Sequence, residues 1–124
     1  MAKFIDLKTF MDARGNLTVI EKVLPFDIRR IFFIYGVDDS VRGGHRHRKT
    51  HQAAICIQGS CVVSNNDGLN REVFVLDTPG KSLLLEPKDW HQMHDFTPDA
   101  ILMVVASEYF DPEDYIFEKY MPPG

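Results

Sequence analysis

Apolar runs along this chain are short, and a turn signal follows nearly every one. Residues 17–22 alternate in part and follow an Arg-Gly-Asn turn at 14–16. Residues 30–35 form a dense aromatic and β-branched run that stops at Gly36. Residues 53–58 and 61–64 read as two strands joined around Gly59-Ser60, and Asn65-Asn66-Asp67-Gly68 is a strong turn signal. A strand over 72–76, a Pro79-Gly80 turn, an extended 82–86, a turn at Pro87-Lys88-Asp89 and a buried strand over 101–106 follow. Many short strands at close spacing predict an all-β sandwich or barrel. In the tail, Asp111 reads as an N-cap with Pro112 behind it and acids in the first turn, one short helix or turn outside the barrel. The final Met121-Pro-Pro-Gly124 is expected to fray.

A chain of 124 residues suffices for one domain, spanning 1–124, with a real core. The formal net charge of −4 disfavours general nucleic-acid or anionic-membrane binding. Against that background Arg42, Arg46, Arg48 and Lys49 form a local basic patch, which suggests a discrete anionic ligand. The N-terminus is too charged for a signal peptide, and no apolar stretch approaches the ~20 residues of a membrane span. Cys56 and Cys61 flank a turn and read as reduced packing residues of a cytosolic protein.

Three of the five histidines lie in residues 42–52, Arg-Gly-Gly-His-Arg-His-Arg-Lys-Thr-His-Gln. If this stretch is extended, His45, His47, Lys49 and His51 project from one face. Such a face makes either a metal site or a proton-transfer site beside an anion. The pattern Gly44-His45-x-His47-x4-Gln52-x6-Gly59 has the spacing of the first cupin motif, which in metal-binding cupins supplies two His and a Glu. Here the Glu position is Gln52, a poor transition-metal ligand. The second motif would fall on Gly80…Pro87-x-x-Trp90-His91-Gln92, with its ligand position counted to Gln92 and His91 one residue off. The chain thus resembles a cupin barrel with a degraded metal site. Two imidazoles in a barrel mouth can give or take protons near neutrality. Nearby Arg and Lys suit a phosphate handle on a carbonyl substrate.

The segments Asp12-Ala-Arg-Gly-Asn-Leu17, Pro25-Phe-Asp-Ile-Arg-Arg30, Arg42-Gly-Gly-His-Arg-His-Arg-Lys49, Trp90-His-Gln-Met-His-Asp-Phe96 and Ala106-Ser-Glu-Tyr-Phe-Asp-Pro-Glu-Asp-Tyr115 resemble the dTDP-sugar 3,4-ketoisomerases, from about residue 4 to about 119. The resemblance implies a cytoplasmic, cupin-fold homodimer with an antiparallel barrel or jelly roll and no metal or other cofactor. The implied reaction converts dTDP-4-keto-6-deoxyglucose into a dTDP-3-keto-6-deoxyhexose, on the way to 3-amino or 3-acetamido sugars of surface polysaccharides. It also implies that His45 and His47 carry the proton work, in an order left open. Arg42 and Lys49 are candidates for the diphosphate, and Tyr35 for the sugar or an oxyanion. Trp90 either stacks on a base or closes the core; Gln92 is a further substrate-side candidate. Arg14 and His94 look like the galacto-forming members, which implies a 3-keto-6-deoxygalactose product.

His51 shares the presumed face without being required by the family pattern, so a structural role competes with a site role. His91 reads as a packing or turn-capping residue, and Arg46 and Arg48 as a solvated or interface face. Three other functions compete. A metal-dependent cupin would use His45, His47 and His91, and Gln52 argues against it. A non-catalytic nucleotide-sugar binder is opposed by the intact His45 and His47. An epimerase of the related deoxysugar pathway would match residues 42–49 less well.

Overall fold

The computed structural model describes residues 1–121. Its strands are β1 (Lys3–Asp6), β2 (Lys8–Asp12), β3 (Gly15–Val19), β4 (Arg30–Ile34), β5 (Arg42–His47), β6 (Gln52–Gln58), β7 (Cys61–Asn66), β8 (Arg71–Leu76), β9 (Lys81–Leu85), β10 (Trp90–His94), β11 (Ile101–Ala106) and β12 (Tyr115–Ile116). Two antiparallel five-stranded sheets, ordered β1-β9-β6-β11-β4 and β12-β5-β10-β7-β8, enclose the core, and β2-β3 forms a separate hairpin. This is the all-β architecture that the strand and turn pattern predicts, and it is cupin-like, as the histidine spacing and the resemblance imply. Among the described residues no helix is long and apolar enough to cross a membrane.

Alternation decides which residues meet inside. Along β7 the buried positions are Cys61, Val63 and Asn65, and they run from apolar to polar. Ile34, Ala54, Cys56, Val63, Leu83, Leu102 and Val104 pack into the main core cluster, with Phe4 edge-on to Phe74 at one margin. Buried polar residues (Gln52, His47, His91, Thr50, Asp114) gather elsewhere in the interior, where the site forms.

Several expectations change. Residues 53–58 and 61–64 are strands, but β6 and β7 lie in different sheets, so Gly59-Ser60 crosses between layers rather than closing a hairpin. The cysteine thiols remain free and buried, and Cys56 donates to the Gln58 carbonyl. β7 continues through Asn65 and Asn66. The turn therefore starts at Asp67, whose carboxylate accepts the amides of Leu69 and Asn70. Asp111 does cap a turn with Pro112 behind it, and a single 3-10 turn spans Pro112–Asp114. That turn is not outside the barrel. Asp114 is buried, and β12 adds an edge strand beside β5 with Tyr115 opposite His47. The expectation of fraying at the C-terminus falls largely on 122–124, outside the described residues.

Candidate active site

The histidine ladder breaks after its second rung. β5 ends at His47, so His45 and His47 share an inward face, while Lys49 and His51 do not continue it. Asp114 causes the break. Its carboxylate accepts the backbone amides of Arg48 and Lys49 at 3.2 and 2.8 Å, the hydroxyl of Thr50, and Nδ1–H of His47 at 2.9 Å. Lys49 is turned into an open groove lined by Arg48, Asp111, Glu113 and Tyr115. His51 packs face-on to Phe26 and donates its backbone amide to Ser107.

Gly43 and Gly44 bring β5 close to β10. Both have positive φ, near +83° and +82°, and a Cβ on Gly43 would stand 2.9 Å from the His91 carbonyl. The β5–β10 pairing shifts register between His91 and Gln92. His91 is fully buried, whereas Gln92 lines a cavity that does not include His45. The histidine one residue off the counted motif position is thus the residue that faces His45 and His47. It is buried and its Nδ1 bonds the Asp89 carbonyl, as expected of a packing and turn-capping residue, and its ring also lies against His45.

Three imidazoles converge as a result. His45 lies 5.0 Å from His47 and 5.2 Å from His91 between ring centroids, and Tyr115 sits 4.7 Å from both His45 and His47. His45, His91, Gln52, Arg30, Arg42 and Tyr115 line a cavity of about 250 Å³. Arg42 also lines a smaller rim pocket with Tyr35 and Phe96.

Hydrogen bonds set the tautomers. His91 Nδ1 lies 3.0 Å from the Asp89 carbonyl, which only accepts, so Nδ1 carries the hydrogen and Nε2 is bare. His47 gives its Nδ1 hydrogen to Asp114 in the same way, and its buried Nε2 has no partner. Burial pulls the His45 and His91 pKa values down to about 4 each. The charge of neighbouring His91 adds to the drop at His45. Burial also lowers His47, but the hydrogen bond to Asp114 opposes it. Burial prevails at all three and leaves neutral imidazoles, able to accept protons, at neutral pH.

The donor set does not fit a cupin metal. Gln52 presents an amide where metal cupins present a carboxylate, and an amide is a poor transition-metal ligand beside imidazole. Among the described residues no group of three or more His, Cys, Asp or Glu is disposed to hold a metal ion.

The remaining sequence candidates lie elsewhere. Trp90 and Gln92 line a cavity of about 350 Å³ with Ser64, Lys119 and Tyr120, apart from the three imidazoles. His94 bonds Ser64 and Asp95 at 2.6 Å each. Trp90 donates Nε1–H to the Phe117 carbonyl and carries Lys119 over its ring. Arg14 stands on the exposed β2-β3 hairpin, paired with Asp12 at 2.6 Å. Conversely, sequence reasoning gave no role to Arg30, Asp114 or Tyr115. Asp114 had a signal, since Asp111-Pro-Glu-Asp114 was read as a capped turn, but its distance of 67 residues from His47 gave no sign of contact.

With the geometry in place, the comparisons decide kinship. Residues 1–121 match the family model FdtA, described as WxcM-like, C-terminal. The chain belongs to the FdtA family. This FdtA-family chain is 41% identical to a TDP-4-oxo-6-deoxy-alpha-D-glucose-3,4-oxoisomerase of Aneurinibacillus thermoaerophilus, over 96% of this chain and 91% of the relative. Among solved structures it resembles a histidine-to-asparagine mutant of the 3,4-ketoisomerase QdtA of Thermoanaerobacterium thermosaccharolyticum, in complex with TDP-4-keto-6-deoxyglucose. That match has a TM-score of 0.90 at 39% identity and covers 94% of this chain and 87% of the other. It also resembles WlaRA, a TDP-fucose-3,4-ketoisomerase of Campylobacter jejuni, with a TM-score of 0.88 at 33% identity over 94% and 89% of the two chains.

Proposed function

We propose that this FdtA-family protein is a TDP-sugar 3,4-ketoisomerase acting on TDP-4-keto-6-deoxyglucose in the cytoplasm. The observation that carries the reading is a neutral His45 facing a sugar-sized cavity, next to a His47 whose free Nε2 is set by Asp114. The C4 carbonyl acidifies the C3–H bond. His45 takes that proton, the C–H electron pair becomes the C3=C4 bond, and the carbonyl pair moves to O4. His47 takes the O3 proton through Nε2 and returns it to O4. The O3 pair then forms the C3 carbonyl while protonated His45 delivers its proton to C4. Atoms and charge balance without a cofactor.

Arg42 and Tyr35, together at the rim, take the diphosphate and the outer part of the substrate in this reading. The product is a 3-keto-6-deoxygalactose. His91, rather than the outward His94, is the β10 imidazole beside the reacting carbons.

The working form is a homodimer. The β2-β3 hairpin leaves Phe10 and Leu17, cross-strand partners, 52% and 61% exposed on one face. An apolar face with no cover in its own chain fits a second copy. Arg14, beside the hairpin turn, then reaches the partner's site.

Proton NMR with TDP-4-keto-6-deoxyglucose in D2O and EDTA tests the reading. A 3-keto product is expected, and the C4–C5 coupling reports its configuration. Turnover only after a divalent metal is added would point to a metal-dependent cupin. Binding without turnover under either condition would point to a nucleotide-sugar binder.

A further inference from the structure

Arg30 opens β4 and points inward with Phe32 and Ile34, into the cavity that holds His45 and His91. Its guanidinium lies over two rings, 4.7 Å from the Phe32 centroid and 5.2 Å from that of Phe110. Among the described residues it has neither an ion pair nor a side-chain hydrogen bond. The nearby carboxylates are otherwise engaged: Glu108 pairs with Arg29 at 3.5 Å, and Asp114 is bound to His47, Thr50 and two backbone amides. Its charge still reaches the site, because it helps hold His47 in the neutral form.

A half-buried cation without a counter-ion keeps its donors free for a ligand, and stacking fixes its plane in advance. Arg42 differs: it is exposed and shared with the rim pocket. The reaction assigned above makes one anion inside the cavity, the enediolate. Its O3, C3, C4 and O4 atoms are coplanar, so two vicinal oxygens present a flat edge to a planar fork of N–H donors. The substrate, tetrahedral at C3, presents no such edge. A group that matches only the intermediate accelerates the chemical step rather than binding.

We propose that Arg30 is a catalytic residue of the isomerisation, its guanidinium holding the vicinal oxygens of the enediolate while Arg42 holds the diphosphate. The inference rests on the ketoisomerase reading.

The test uses full-length Arg30→Lys, Arg30→Gln and Arg30→Ala, with folding checked by circular dichroism. For Arg30→Gln, kcat is expected to fall about 10²–10³-fold. TDP affinity should stay within about twofold, and exchange of the C3 proton with D2O should slow in parallel with kcat. Arg30→Lys keeps the charge but loses the fork, and should recover only part of kcat. Millimolar guanidinium should restore turnover in Arg30→Ala, by filling the space left over Phe32 and Phe110, and leave the wild type unchanged. A tenfold loss of TDP affinity at unchanged kcat would overturn the proposal and make Arg30 a diphosphate ligand. Unchanged kcat and affinity would remove its role altogether. An inactive wild type would instead defeat the ketoisomerase reading itself.

Discussion

Asp114 Oδ2 lies 2.9 Å from His47 Nδ1, and both side chains are only 3% exposed. The carboxylate fixes the tautomer that leaves His47 Nε2 free, and by gathering the Arg48 and Lys49 amides it also ends β5 just past that histidine. One residue therefore sets both the shape of the strand end and the basicity of the site.

Asp114→Asn separates these roles by size and charge. The amide fills the space but places N–H groups where Thr50 and two backbone amides also need acceptors. The expected loss in kcat is about 10²–10⁴-fold, with TDP affinity little changed, measured by NMR progress curves and calorimetry. Burial pushes the Asp114 carboxyl up, but the bonds from Thr50, Lys49 and His47 outweigh it and hold the carboxyl below its ordinary value. Its contribution to stability is therefore complete above the unfolded value of about 3.9 and is lost as pH falls through the lower folded value. Urea midpoints for the asparagine variant should lack that part of the acid-side loss.

His91 predicts a second pH effect, at higher pH. Its folded pKa is held down at about 4, chiefly by burial, against an unfolded value of about 6.5. Between these values the unfolded chain binds the proton and the native chain does not. Stability is therefore full above about pH 6.5 and falls progressively toward pH 4, by ~3 kcal/mol for this group. His91→Asn should lose less stability than the wild type between pH 7 and pH 5 in urea melts. Equal slopes would mean that His91 takes up its proton in the native state.

How much of this was legible in the sequence depends on the range of the interaction. The strands, the capped turn at Asp111 and the shared face of His45 and His47 follow from local period and turn chemistry. The ladder beyond His47 was misread because Asp114, distant in sequence, bends the chain there. Motif counting, which assumes unbroken register, put the ligand position on Gln92, but the β5–β10 pairing slips between His91 and Gln92, so His91 is the one that faces His45. Arg30 drew no role from the sequence beyond its place at the start of the 30–35 run. Only the fold shows that it faces inward and that Arg29 takes the carboxylate of Glu108.

Gly43 and Gly36 make a paired comparison of backbone constraint. Both adopt positive φ, +83° and +63°, but Gly36 has open space around a would-be Cβ, while Gly43 would meet the His91 carbonyl at 2.9 Å. Gly36→Ala should lose ~1–2 kcal/mol from conformation alone. Gly43→Ala adds a clash between backbones that cannot simply step aside, and should cost more while displacing His45 from His91. Thermal melts should rank Gly43→Ala lowest, with activity falling far more than for Gly36→Ala.

The hairpin gives the sharpest test of assembly. Phe10→Asp with Leu17→Asp puts two charges on the uncovered face, and sedimentation should show monomers that keep the native β spectrum, because the hairpin stands apart from both sheets. Complementation then asks whether Arg14 acts across the interface. Arg14→Ala and His45→Asn homodimers should each be nearly inactive. Mixed by mild unfolding and refolding, about half of the dimers are hybrids with one intact site of two, so about a quarter of wild-type sites return. If Arg14 serves its own chain, every site in the mixture lacks one of the two residues, and no activity is regained.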